Sequence, residues 1–189
     1  MFLLSDNDQK TLLEIARNSV RSYLAVATFD LPEISSDVLT QSHGVFVSIH
    51  KHGELRGCIG NVHPVGPLYR VTAECAIAAA FGDPRFMPLM KKEIDVVNFE
   101  ISVLSPMELV EDVKKIEVGR HGLMISKGKA KGLLLPQVAA MYGWNRERFL
   151  EETSRKAGLA LDDWKEGATI HYFTAIVFGE KRLHITATP

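Results

Sequence analysis

The sequence has few cysteines and no long apolar run, and these shortages exclude several classes of protein. Two cysteines, Cys58 and Cys75, occur in 189 residues, too few for a four-cysteine zinc site or a disulfide framework. No apolar run reaches the roughly 18 residues that a membrane-spanning helix needs. The first residues also lack the pattern of a signal peptide. We therefore expect a cytoplasmic protein with reduced thiols and no membrane association.

An excess of charge of one sign is also lacking. The 22 Lys and Arg residues are balanced by 23 Asp and Glu residues. Because binding to nucleic acid through bulk charge needs a basic excess, we expect no nucleic-acid partner. The Walker, GxGxxG, GxSxG and HExxH motifs are absent, which argues against the common nucleotide-binding, hydrolase and zinc-protease classes. The sequence predicts no cofactor and no metal site.

The periodicity of apolar residues predicts an α+β fold with mainly antiparallel sheet. Apolar residues recur at helical spacing over residues 6–24, with Ser5 or Asp6 as the N-cap. Further helices are predicted over residues 65–82, from Pro136 onward and over 145–158. Strands are predicted over residues 44–51, 54–61 and 96–105, in a hairpin over 122–136 and in one long strand over 168–180. Hairpins and helices that do not alternate regularly favour the α+β class.

The stretch ELRGCIGN, residues 54–61, places an arginine and two glycines around a cysteine. A two-residue turn at His52-Gly53 predicts the strand pairs Lys51 with Glu54, Ile49 with Arg56 and Val47 with Cys58. In this register Arg56 and Cys58 share one face of the sheet. The opposite face then carries the core residues Phe46, Leu55 and Ile59.

This arrangement has a functional and a structural interpretation. A guanidinium beside Cys58 would favour the thiolate, and it could hold a carboxylate or phosphate through two hydrogen bonds. Gly57 and Gly60 would then mark a place where another group approaches the strand closely. Alternatively, Cys58 packs like a small apolar residue, as free cysteines commonly do.

Three more residues are candidates for the same site. Asp83 and Arg85 lie in the tight corner DPRF, and Glu100 lies on the polar face of the strand over 96–105. A capping aspartate, a surface arginine and a solvated strand face are the simpler explanations. The functional alternative places Arg85 beside Arg56 and pairs Glu100 with one of these two arginines.

The remaining histidines and the second cysteine are expected to be structural or solvent-exposed. His63 could act as a base for Cys58 if the chain folds back, but a surface histidine is the simpler interpretation. His121 is also expected in a surface turn. Cys75 lies among alanines in the middle of a helix and is predicted to be in the core.

Six segments of the sequence carry a family resemblance, and they are, in order, ELRGCIGN, AIAAAFGDPRF, FEISVLSP, EVGRHGLMISKG, GLLLPQVA and FLEETSRKAGL. Their order is that found in the AMMECR-type domain family, named after the Alport syndrome, mental retardation, midface hypoplasia and elliptocytosis chromosomal region protein. The sequence resembles this family over about residues 10–180, and the LRGCIG signature of the family is intact at residues 55–60.

The resemblance implies one domain over residues 1–189, built from two subdomains. The larger subdomain would use both ends of the chain and the smaller one its middle, and the signature cysteine and arginine would face a cleft between them. In prokaryotes the family is associated with a Memo-like protein and a radical S-adenosylmethionine enzyme, which implies a shared modification pathway. The resemblance implies no known reaction.

Three hypotheses for the function therefore stay open. In the first, Cys58 is a nucleophile or covalent carrier in a modification pathway. In the second, the cleft binds an anionic small molecule or peptide without catalysis. The ligand-binding candidates are Arg56, Gly57, Gly60, Asp83, Arg85 and Glu100. In the third, the chain is a protein–protein adaptor, and the signature mainly maintains its fold.

Overall fold

The computed structural model describes residues 3–28 and 30–180 of the chain, which contain five α-helices and eight β-strands. The helices are α1 (Asp6–Leu24), α2 (Asp37–Thr40), α3 (Leu68–Phe81), α4 (Pro136–Met141) and α5 (Arg146–Lys156). The strands are β1 (Val45–Lys51), β2 (Glu54–Asn61), β3 (Val97–Leu104), β4 (Glu108–Leu109), β5 (Gly122–Lys127), β6 (Ala130–Leu134), β7 (Thr169–Phe173) and β8 (Ala175–Gly179).

The chain forms two compact units, each with its own sheet and core. The first unit comprises the described residues up to 104 and from 176 onward, and the second comprises residues 105–175. The strand order is β2-β1-β3-β8 in one sheet and β4-β7-β5-β6 in the other. The antiparallel pairing and the separate helices confirm the predicted α+β class.

The first unit buries one face of its sheet under α1 and α3. Val47 and Ile49 of β1 and Phe99 and Ile101 of β3 are almost inaccessible to solvent on that face. Successive side chains in a strand point to opposite faces. Ser48 and Glu100, which lie between these residues, therefore project from the other face and are only partly buried.

The two main helices of this unit begin and end as their sequences predict. Ser5 caps α1, because its hydroxyl accepts a hydrogen bond from the Asp8 amide while the Asp8 carboxylate accepts one from the Ser5 amide. This reciprocal arrangement satisfies amides that have no partner within the helix. Helix α3 starts after Pro67 and ends before Gly82, as predicted.

The predicted register of the β1–β2 hairpin is wrong beyond the first two residue pairs after the turn. Lys51 pairs with Glu54 as expected, but the register then shifts, so that Ile49 pairs with Gly57 and Ser48 with Cys58. This shift is a β-bulge that leaves Arg56 as the extra residue. Cys58 therefore projects from the sheet face opposite the helices, beside Ser48, and its side-chain partner is not Val47.

The bulge also changes which residues enter the core. Leu55 was expected in the core, but it is 40% exposed. Ile59 packs against the core, whereas Phe46 is partly buried on the opposite face, where it covers Gly60. The core face of β1 is instead supplied by valine and isoleucine, which have a high strand propensity.

Packing of α3 explains the position of Gly57. A Cβ atom built on Gly57 would lie 2.1 Å from the carbonyl oxygen of Ala79 in α3. A Cβ on Gly60 would lie 2.4 Å from the ring of Phe46. Both glycines are thus required by contacts inside the protein, so the glycine pattern is explained without a ligand.

The second unit has its own core between its sheet and α5. Leu123 and Ile125 of β5 pack there with Phe149 and Leu150 of α5. The predicted 122–136 hairpin is present as β5 and β6. Asn145 caps α5 as predicted, with its side chain accepting a hydrogen bond from the amide of Arg148 at 2.8 Å.

The single long strand predicted over 168–180 is wrong. The chain forms two strands, β7 and β8, which belong to different sheets. Between them, Thr174 leaves both ladders, because its carbonyl accepts from the Ser105 amide and its amide donates to the Ser105 hydroxyl. The apolar pattern continues through Thr174, so periodicity alone did not reveal the break.

We predict that Gly57→Ala lowers the free energy of unfolding by at least about 2 kcal/mol, because its methyl group would displace the backbone of α3. The control is Gly66→Ala, since a Cβ there would meet nothing closer than 3.5 Å. Urea denaturation of both variants checks this. Equal stability of the two variants would contradict the packing explanation.

Candidate functional site

Cys58 lies half-buried on the outer strand of the first sheet, with its sulfur held by a neighbouring hydroxyl. The Ser48 hydroxyl donates a hydrogen bond to Sγ of Cys58 at 3.2 Å. Ser48 pairs with Cys58 on one side and with Glu100 on the other. A thiol, a hydroxyl and a carboxylate therefore form one row across three adjacent strands, with roughly 5 Å between the Cβ atoms of neighbours.

The backbone of Cys58 is fixed on the side of β2 that has no neighbouring strand. Its amide donates to the Asp83 carboxylate at 2.9 Å, and its carbonyl accepts from Nη2 of Arg85 at 3.2 Å. An edge strand normally leaves such groups to solvent or to another chain. Here the DPRF corner, which directly follows α3, completes the edge and fixes the backbone that carries the thiol.

Asp83 and Arg85 form a tight pair at this corner. Two guanidinium nitrogens of Arg85, Nε and Nη2, donate to the two carboxylate oxygens of Asp83 at 2.9 and 2.7 Å. These hydrogen bonds hold the pKa of Asp83 well below its usual range, although the side chain is only 2% exposed. Asp83 is therefore a permanent anion that positions Arg85 and the Cys58 amide together.

Arg85 keeps part of its guanidinium available. Its side chain is 56% exposed, and its Nη1 has no hydrogen-bond partner within the described residues. The Asp83 hydrogen bond is the main reason that the pKa of Arg85 is raised, and the Cys58 side chain adds to the same effect. A cationic donor thus lies near the thiol.

Arg56 is engaged by the protein itself. Its Nε and Nη2 donate to the Glu93 carboxylate at 3.3 and 3.1 Å, and Nη1 donates to the carbonyl of Met87 at 2.7 Å. Nη2 also donates to the carbonyl of Pro88 at 3.3 Å. The guanidinium therefore holds the segment after the DPRF corner, and its predicted role in binding a ligand stays a prediction.

Glu93, which the sequence did not single out, is the acceptor for two cations. Lys51 donates to Oε1 of Glu93 at 2.8 Å, the same oxygen that accepts from Nε of Arg56. Burial raises the pKa of the Glu93 carboxyl, but the hydrogen bonds from Arg56 and Lys51 outweigh it and lower the pKa to about 2. It lies in the charged run KKEID, and a charge run is typical of a solvated surface, so its role becomes evident only in the folded chain.

The predicted ion pair of Glu100 with Arg56 or Arg85 is absent from the part of the chain that the structure describes. The two arginines pair with Glu93 and Asp83 instead. Glu100 is partly buried beside Ser48 and has no ion-pair partner among residues 3–28 and 30–180. It is therefore a carboxylate without a charge partner in the row that contains Cys58.

The two histidines considered in the sequence analysis, His63 and His121, differ in their burial. His63 is exposed and makes no hydrogen bond to Cys58 within the described chain. The expected surface position of His121 is wrong: His121 is buried, its ring stacks on Tyr172, and its Nδ1 accepts from the Glu117 amide at 3.1 Å. Burial lowers the pKa of His121.

Cys75 is confirmed as a core residue. It is 2% exposed, and burial raises the pKa of its thiol to about 11. The two cysteines thus occupy contrasting environments, since Cys75 is buried and Cys58 is only partly buried.

The described residues contain neither a membrane-spanning helix nor a metal-binding cluster. No helix there is long and apolar enough to cross a membrane. No cluster of three or more His, Cys, Asp or Glu side chains is arranged to hold a metal ion there.

Comparison with known proteins identifies the family. The AMMECR1 family model matches residues 13–178, and the chain belongs to this family. A protein of Methanothermobacter thermautotrophicus is 43% identical over 185 residues, covering 94% of this chain and 96% of that protein. A protein of Aquifex aeolicus is 42% identical over 182 residues, covering 92% and 93%.

A solved structure gives the same result for the fold. The crystal structure of the uncharacterized protein PH0010 from Pyrococcus horikoshii matches with a TM-score of 0.89 and 40% identity, covering 95% of each chain. The names of these relatives state no activity, so the function has to be argued from the site.

We predict that Arg56→Met lowers the free energy of unfolding at pH 7 by about 2–3 kcal/mol, because it leaves a buried carboxylate with one exposed partner. The folded-state pKa of Glu93, about 2, lies below its ordinary value of 4.5. The ion pair therefore stabilises the fold above about pH 4.5, and this contribution is lost as the pH falls towards 2. The difference in free energy of unfolding between wild type and Arg56→Met should therefore shrink as the pH falls from about 4.5 towards 2.

Urea denaturation at several pH values measures this difference. Lys51→Met is the control, because Lys51 is 34% exposed and donates one bond to the same carboxylate. It should cost about 1 kcal/mol or less. A pH-independent loss in Arg56→Met would mean that Arg56 acts by packing and not by its charge.

Proposed function

We propose that Cys58 is a nucleophile or covalent carrier for a small anionic molecule or peptide. The single observation that carries this proposal is the way the half-buried thiol is held. Ser48 binds its sulfur, and Asp83 and Arg85 bind its backbone amide and carbonyl. The Sγ atom of the core residue Cys75 also accepts a hydrogen bond, from Asn61 at 3.8 Å, but among the described residues no charged side chains bind the backbone of Cys75.

In this proposal Ser48 and Glu100, which lie beside Cys58 in the row across three strands, each have a chemical role. In reaction with an activated acyl group, Sγ of Cys58 forms a bond to the acyl carbon, and the leaving group departs with the bonding electrons. The Ser48 hydroxyl, which donates to the sulfur in the resting protein, turns towards Glu100 and relays the thiol proton to that carboxylate, which has no ion-pair partner among the described residues. Proton transfer needs the hydroxyl and the carboxylate within hydrogen-bond distance, and their positions on directly paired residues of β1 and β3 allow the side chains to approach each other.

Arg85 is the group to which we assign recognition of the anion. A guanidinium binds carboxylates and phosphates through charge-assisted hydrogen bonds, and the largely exposed guanidinium of Arg85 already binds the carbonyl of Cys58 through Nη2. Asp83 acts by positioning Arg85. Arg56, Gly57 and Gly60 support this surface by shaping β2, although all were candidates for direct contact with a ligand.

We also propose that this chemistry belongs to a modification pathway shared with Memo-like and radical S-adenosylmethionine proteins, as the family resemblance implies. A cytoplasmic location is consistent with a reduced, reactive thiol.

The non-catalytic adaptor is the second candidate, and one observation favours it. Gly57, Gly60 and Arg56 of the signature each have a contact that maintains the fold. If Cys58 were also structural, the whole signature would serve the fold alone. The chemistry of Cys58 therefore decides between the two candidates.

We predict that iodoacetamide alkylates Cys58 in the native protein at least about tenfold faster than Cys75, which is buried and has a raised thiol pKa. Ser48→Ala should change the rate at Cys58. Ser102→Ala is the matched control, because Ser102 is on the same face of the sheet but pairs with Phe46. Peptide mapping by mass spectrometry measures both sites, and an inert native Cys58 would rule out the nucleophile.

We further predict that acetyl phosphate, a small anionic acyl donor, acetylates Cys58 with release of phosphate. Arg85→Met should slow this reaction by roughly tenfold, the loss expected for one charge-assisted hydrogen bond. Arg70→Met is the control, since Arg70 is an exposed arginine of α3 whose side chain has no partner among the described residues. Cys58→Ser should abolish the modification.

Acetylation at equal rates in the two arginine variants would remove Arg85 from the proposal. Absence of any modification at Cys58, with an alkylation rate no higher than that of Cys75, would favour the adaptor.

A further inference from the structure

A separate cavity lies between α1 and α3 in the first unit. Its volume is about 210 Å³. The lining residues come from both helices and from the loop after α1, and they are Ser19, Ser22, Tyr23, Ala27, Leu31, Ala73 and Ile77. None of these residues is a member of the Cys58 site.

Ser19 makes this cavity unusual. The residue is 2% exposed, and its hydroxyl has no hydrogen-bond partner among the described residues. Two other buried hydroxyls in helices, those of Thr72 and Thr153, donate to the carbonyl four residues earlier at 2.8 and 2.7 Å. The Ser19 hydroxyl does not form this bond, although leaving a buried hydroxyl unpaired costs roughly 1–3 kcal/mol.

The lining specifies the kind of molecule that would satisfy Ser19. Its described lining residues include no charged side chain, so a charged ligand would lose its hydration without compensation from them. Ala73, Leu31 and Ile77 supply an apolar wall, and the ring of Tyr23 stacks on Phe81 at the rim with 4.4 Å between the centroids. A neutral, flat and mostly apolar molecule with one polar group fits this combination.

The volume sets the size of that molecule. An apolar cavity of about 150 Å³ is large enough for benzene, so this one can hold a single ring that carries one or two additional heavy atoms. We propose that the cavity binds a neutral phenol-sized aromatic alcohol, whose hydroxyl group forms a hydrogen bond with that of Ser19. This would be a second ligand site, independent of the chemistry at Cys58.

Calorimetric titration of the full chain with phenol and with toluene tests the proposal. Phenol should bind in a saturable way. Ser19→Ala should weaken phenol binding by roughly five- to tenfold, the contribution of one neutral hydrogen bond, and should leave toluene binding unchanged or stronger. Ala73→Leu should abolish binding of both, because the larger side chain fills the cavity.

Ser154→Ala is the matched control. Ser154 is also a fully buried serine without a hydroxyl partner among the described residues, but it lies in α5 and does not line this cavity. Its replacement should leave phenol binding unchanged. Thermal unfolding of each variant verifies that it is folded.

Two results would overturn the proposal. One is the absence of saturable phenol binding to the wild-type protein, which would mean that solvent alone occupies the cavity. The other is equal phenol affinity in wild type and Ser19→Ala. Cys58→Ser should bind phenol normally, so failure here and failure of the proposed function are separate outcomes.

Discussion

The geometry around Cys58 depends on the hydrogen bonds that the Asp83 and Arg85 side chains make to the edge of β2. An edge strand has backbone groups with no ladder partner, and its position is therefore less well defined than that of a central strand. In this protein a buried, ionised aspartate and its arginine satisfy the amide and the carbonyl of Cys58. The corner after α3 thus supplies, at Cys58, the two hydrogen bonds that a further strand would otherwise make.

A second ion pair, between Arg56 and Glu93, also fixes β2 to the chain that follows α3. Arg56 and Glu93 connect the bulge in β2 to the segment after the corner, and both side chains are mostly buried. Since the bulge places Cys58 opposite Ser48, the Arg56 contact, the bulge and the orientation of the thiol form one structural unit. Arg56, Gly57 and Gly60 of the signature thereby have structural partners, whereas Cys58 is a partly buried free thiol.

Local patterns were sufficient to predict most of the secondary structure. The capped helices α1 and α5, the limits of α3 and the hairpin of β5 and β6 all depend on residues that are close in sequence. The register of β2 depends on the approach of Ala79 from a helix about twenty residues away, and no pattern within the hairpin contains that information. For the same reason, the partners Ser48 and Glu93 could not be found from sequence, because each is defined by a tertiary contact.

The break at Thr174 has a consequence for the order in which the protein can be assembled. Residues 105–175 form a continuous segment whose two ends meet at the Ser105–Thr174 hydrogen bonds. All strands of this segment are synthesised before β8. At that point the first unit still lacks β8 and the Glu180 carboxylate that binds Arg17 at 2.6 Å. During translation, residues 105–175 can therefore reach their native structure before β8 is available to complete the sheet of the first unit.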